Sequence, residues 1–156
     1  MNDLPEVISN DLADYYAMVR EQTHHWVDGL SEEQIWRRPF EHGNSIGHLL
    51  LHMSGNLNYY IGAQIANTGY IRERELEFAG NHTERKDEVL RKLDEAVDIV
   101  IETLKTQTNQ TWEEEYTAIG VDDVKDRFSI YLRGAVHFHH HIGQMIYLVK
   151  ELSDKV

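Results

Sequence analysis

The chain has 156 residues, of which 27 are acidic and 15 basic, giving a formal net charge of −12. That length suits one domain, 1–156, with a real core, and the charge repels phosphate backbones, which weighs against nucleic acid as a partner. The absence of cysteine excludes disulfides and thiolate metal ligands and agrees with a reducing compartment.

The start, Met1-Asn2-Asp3-Leu4-Pro5-Glu6, is acidic and polar, without the basic and apolar segments of a signal peptide. No run approaches the roughly 18 apolar residues of a membrane span, so no membrane partner and a cytoplasmic location are expected. The first helix is predicted from about Pro5 to Leu30, because Leu4, Ile8, Leu12, Tyr15, Val19, Trp26 and Leu30 recur at helical spacing. Asp28-Gly29 marks its stop. Ser31-Glu32-Glu33-Gln34 reads as a capping box that opens a short helix ended by Pro39.

His42-Gly43-Asn44-Ser45 is a turn with N-cap chemistry. A second long helix is predicted from about Ile46 to Ala66, closed by Asn67-Thr68-Gly69. Residues 68 to 82 read as a charged connection with a helical turn. Thr83 opens a third long helix reaching about Gln107, with Val89, Leu93, Val97 and Leu104 inward. Residues 108 to 122 form a loop, and the last helix runs from about Asp123 to Leu152. Four long amphipathic helices make an all-α four-helix bundle the expected fold. Trp26, Trp36 and Trp112 are expected in packing and not as a ligand platform.

Histidine is the unusual residue. There are ten, and four fall within the five positions 137–141. His137 and His141 are spaced i, i+4, which sets two imidazoles on one helix face. On the helical wheel they flank the stripe Tyr131, Ala135, Phe138, Ile142, Met145 and Val149, in a column with Ile130, Gly134 and Leu148. His140 points away from that stripe and His139 lies on its other flank. The second helix carries another such pair, His48 and His52. The wheel sets His52 at the edge of the apolar face and turns His48 toward solvent. From the pattern alone three readings stay open: hydrogen-bonded core histidines, an exposed patch with adventitious metal, and a three-histidine site on His52, His137 and His141. The last would leave coordination positions open, as a catalytic metal requires. No carboxylate stands at a fixed spacing from these histidines, and HExxH, phosphate-loop and nucleophile-elbow motifs are absent.

Asn44-Ser45-Ile46-Gly47-His48-Leu49-Leu50-Leu51-His52-Met53 resembles the "SIG-x-LL-x-H" segment of the DinB-like (YfiT-like) metalloprotein superfamily. His137-Phe138-His139-His140-His141-Ile142-Gly143-Gln144 resembles its second signature, H-x-x-x-H-x-G-Q, and Ser31 to Pro39 is similar to its lead-in. The resemblance implies an up-down-down-up bundle that often dimerises, with one divalent metal ion on His52, His137 and His141. Three imidazoles suit zinc or nickel, and also iron or copper.

The resemblance further implies a metal-dependent S-transferase that takes a low-molecular-weight thiol of the bacillithiol type and an electrophile, in stress response or detoxification. Gln144 and Asn56, each one turn beyond a ligand position, are the polar residues proposed for substrate binding. A metal-dependent hydrolase and a non-enzymatic metal-binding stress protein are the alternatives. The extra histidines at 48, 139 and 140 depart from the superfamily pattern.

Overall fold

A computed structural model of the chain describes residues 3–81 and 84–153. The helix-opening signals at Ser31 and Ser45 act where they were expected, while the last helix starts at Arg127 and not at Asp123, with Asp126 accepting from the Ser129 amide. Asp3 accepts from the Glu6 amide and starts α1, Leu4–Val27, with Pro5 in the first turn. The Ser31–Gln34 capping box closes on itself and opens α2, Glu32–Trp36. Ser45 caps α3, Ile46–Leu57. α4 spans Lys86–Leu104, and Glu88 accepts from the Arg85 amide just before it. Thr83, the expected opening of this helix, lies outside the described residues. α5, Asn109–Trp112, is a single turn inside the expected loop, and α6 spans Arg127–Ser153, about 40 Å of helix. A 3₁₀ turn, Leu76–Phe78, is the helical turn of the connection. Among the described residues there is no strand, only an isolated bridge between Glu115 and Asp126.

The second long helix does not stay α-helical to Ala66. After Leu57 it widens into a π-helical turn, Asn58–Ala63. The tertiary reason is visible. The phenol of Tyr116 donates to the Tyr60 carbonyl, 2.7 Å, while the Tyr60 hydroxyl donates to Ile119 O, 3.1 Å. A π turn loosens the backbone ladder locally, and here it frees a carbonyl for the loop that follows α5. Asn67 and Gly69, both with positive φ, then turn the chain away.

Cross-helix contacts define the directions. Arg20 meets Asp98, His24 meets Asp94, and Lys86 reaches the Leu30 carbonyl, so α1 and α4 are antiparallel. Tyr16 donates to Tyr131 O, and Gln34, just past α1, reaches Leu152 O, so α1 and α6 are parallel. Ser54 bonds Lys92 O and Gly62 lies by Ile99, so α3 and α4 are parallel. α3 and α6 run antiparallel, with His52 by His137 and Ile61 by Gly134. The bundle is therefore up-down-down-up. α1 and α6 approach closely because position 134 is glycine; a Cβ there would sit 2.5 Å from the Tyr16 hydroxyl.

Two consequences position the site. The parallel pair α3 and α4 cannot be joined by a tight turn, so residues 64–81 cross back along the bundle. Every residue of α3 is buried, because α2, this crossover, α4 and α6 all pack on it. Tyr16, Leu50, Met53, Val97, Tyr131, Phe138 and Ile142 belong to the core they share. Among the described residues no helix is long and apolar enough to cross a membrane.

Candidate metal centre

α3 and α6 bring His52, His137 and His141 together. His52 Nε2 lies 3.1 Å from His137 Nε2, which lies 3.2 Å from His141 Nε2. One ligand atom from each ring falls within 4.8 Å of the others, so the three could hold a metal ion. The i, i+4 step on α6 supplies two rings, and the antiparallel crossing of α3 supplies the third.

The outer nitrogens decide the protonation pattern. Glu77 Oε2 lies 2.8 Å from His52 Nδ1. A carboxylate only accepts, so Nδ1 carries the proton and Nε2 keeps its lone pair. Gln144 Oε1 lies 2.7 Å from His141 Nδ1 and fixes that ring the same way. Two bare Nε2 atoms therefore face the Nε2 of His137. A single proton on His137 would satisfy one of them and leave the other unpaired. A divalent ion satisfies all three. Zinc–imidazole bonds of roughly 2.0–2.1 Å set tetrahedral ligand nitrogens roughly 3.3 Å apart, close to the spacings seen, so the donor set fits such an ion.

Burial favours the neutral rings. It pushes His137 down to about 3, with the neighbouring His141 and His52 adding to the effect. Burial likewise pushes His141 down to about 4, against the opposing hydrogen bond to Gln144. Both rings are thus neutral near pH 7, the form that ligates metal.

Glu77 is itself held. Arg72 grips it with two bonds, Nε to Oε1 at 2.6 Å and Nη2 to Oε2 at 2.8 Å. Burial by itself would raise the Glu77 pKa, but the hydrogen bonds from His52 and Arg72 and the Arg72 charge outweigh it and hold it below the usual range. The carboxylate reaches His52 over Gly55, where a Cβ would stand 2.2 Å from Oε1. The Phe78 ring packs 5.0 Å from the His52 ring.

The other sequence candidates are distributed as follows. Gln144 is exposed and turned onto His141, with its Nε2 3.3 Å from His140 Nε2. Asn56 is buried on α3, one turn past His52. His140 is exposed as expected, and His139 is exposed with its Nδ1 on the Tyr15 hydroxyl at 2.9 Å. His48 corrects the wheel. It is 3 % exposed and not turned to solvent, because the crossover covers the side of α3 that the wheel leaves open. Trp36 packs edge-on against His48, and Trp112 against Tyr131.

Sequence reasoning missed Glu77 and Arg72. They stand among the five charged residues of 72–77, a pattern that reads as solvated surface, and Glu77 lies 25 residues from the ring it orients.

Residues 7–156 match the family described as "Protein of unknown function (DUF1572)", and the chain belongs to that family. No curated protein matches it.

Proposed function

We propose that this DUF1572 protein is a DinB-like (YfiT-like) metalloprotein that holds one divalent ion, zinc or nickel, on His52, His137 and His141, and that it acts as a thiol S-transferase. The observation that carries the reading is the convergence of three Nε2 atoms, two of them left with a free lone pair because Glu77 and Gln144 accept from the Nδ1–H of their rings. With three protein ligands the site keeps open positions, as catalytic sites do. The chemistry supplied by the bound ion is acidification of a low-molecular-weight thiol, so that transfer to an electrophile starts from a thiolate at neutral pH.

The chain's own residues orient and exclude. Glu77 and Arg72 fix the His52 ring. Gln144 fixes His141 through Oε1 and presents its amide nitrogen at the exposed edge beside His140, where a substrate acceptor can meet it. Asn56 is the second polar group assigned to the substrate. No side chain here needs to act as nucleophile, in keeping with the absence of cysteine. A hydrolase needs a free general base, and the buried carboxylate nearest the site, Glu77, is committed to Arg72 and His52. That favours transfer over hydrolysis.

The protein is proposed to work in the cytoplasm, in detoxification or stress response, as a homodimer. Phe128, Leu132, Val136 and Tyr147 form an exposed apolar stripe along α6 that supports the last point.

The test is conjugation of bacillithiol, and of a panel of other thiols, to monochlorobimane by the metal-loaded protein. A metal-dependent rate that disappears in His52→Ala is expected. Ester or amide cleavage without thiol transfer would move the assignment to a hydrolase. Tight stoichiometric metal with neither activity would move it to storage or sensing.

A further inference from the structure

His48 lies outside the triad, yet it is among the most buried polar residues of α3. Its partners dictate its state. The Ser45 amide lies 3.1 Å from Nδ1, and the Ser45 hydroxyl 2.6 Å. An amide can only donate, so Nδ1 carries a lone pair and the proton sits on Nε2. Nε2–H then donates to the Ala79 carbonyl, 2.9 Å away, while the Arg38 guanidinium stands at 3.5 Å, the edge of bonding range. The ring is walled by Trp36 edge-on at 5.7 Å and Phe78 stacked at 6.5 Å.

The crossover is thus pinned to α3 twice. Ala79 is held by His48, and Glu77 is held by His52, in antiparallel order. Between the two pins, Phe78 packs on both imidazoles.

We infer that His48 is a positioning residue: by holding Ala79 it sets the 3₁₀ turn Leu76–Phe78 at the height that delivers the Glu77 carboxylate to His52. The inference rests on the metal reading of the triad and adds to it a tether on a residue that ligates nothing. It also explains why a second histidine stands one turn before His52. An imidazole there can accept from the helix cap and donate to the crossover at once, and an aliphatic side chain can do neither.

The test is a double-mutant cycle of His48→Ala and Glu77→Gln, read as zinc affinity by competition with a chelating dye. Cobalt(II) visible spectra of each variant report ligand geometry. Losing a group that orients a metal-binding ring costs roughly 10–100-fold in metal affinity, and His48→Ala is expected at about the lower end. If His48 acts through Glu77, its effect shrinks to under about threefold in the Glu77→Gln background, because coupled residues are non-additive. His48→Gln, which keeps a donor near the Nε2 position, should restore most of the affinity and the wild-type cobalt spectrum. That variant also keeps the question open should His48→Ala fail to fold. An equal loss in both backgrounds, or a folded His48→Gln that binds as poorly as the alanine variant, would overturn the inference. Unchanged binding by His48→Ala beside a tight wild type would overturn it while leaving the triad intact. Failure of the wild type to bind zinc would overturn the triad reading, and the tether with it.

Discussion

Replacing Glu77 with glutamine should weaken both the fold and the metal centre, and the two losses separate cleanly. Glu77 and the Arg72 side chain are 7 % and 8 % exposed, so the pair is buried. Removing one partner of a buried ion pair strands the other charge and costs about 3–5 kcal/mol. The glutamine can still accept from Arg72, so about 3 kcal/mol is expected for the metal-free protein. At roughly 2–4 °C per kcal/mol for a chain of this size, the Tm should fall by about 6–12 °C. Metal affinity should fall on its own account, because a neutral amide polarises His52 less than a carboxylate does. The loss should be about 10–100-fold. Calorimetry of the metal-free protein and dye competition for zinc measure the two effects independently. A Tm within about 2 °C of wild type, together with unchanged zinc affinity, would refute the reasoning that makes Glu77 a buried, charged support for His52.

The pH dependence of the metal-free protein follows from the two depressed histidines. Their unfolded value is 6.5 and their folded values are about 3 and about 4, so below pH 6.5 the unfolded chain binds more protons. The stability they contribute is fully present above pH 6.5 and drains away as pH falls toward 4 and 3; urea midpoints that rise between pH 6 and 4 would contradict this. Gly55→Ala should push the Glu77 carboxylate aside and lower zinc affinity, since its Cβ would meet Oε1 at 2.2 Å. Gly143→Ala, with nothing within 4 Å, should leave affinity alone and stabilise α6 by about 0.5–1 kcal/mol; similar zinc affinities in the two variants would count against the close approach. Chelation should leave the helical circular dichroism intact, because Val89, Leu93, Val97 and Val100 and the rest of the core are buried without help from an ion. Loss of the helical signal on adding chelator would make the ion structural.

The parts that were legible in the sequence are those set by local chemistry. The capping box at Ser31 and the N-cap at Ser45 form as read, and the His48 ring completes a box at Ser45 that was not foreseen. The Asp28-Gly29 stop holds, and each of the four long stripes finds a helix. His137 and His141 separate from His139 and His140 on the wheel, and they do so in the fold. The misreading of His48 arises because a wheel assumes one covered face. α3 is covered on all sides, so His48 is as buried as its neighbours. The signal for that was present, since residues 42–71 contain no Asp, Glu, Lys or Arg, and a helix apolar all round is an interior one. The π turn at Asn58–Ala63 depends on Tyr116, far along the chain, and Glu77 depends on the path of the crossover. Neither dependence is written in any window of sequence.

The central claim is that three histidines, and not the histidine-rich surface, hold one ion. Elemental analysis of the wild type, His141→Ala and His140→Ala after equilibration with zinc tests it most directly. About one ion per chain is expected in the wild type and in His140→Ala, whose ring is exposed, and far less in His141→Ala, which removes one of the three ligands. Equal retention or equal loss in the two variants would contradict the account.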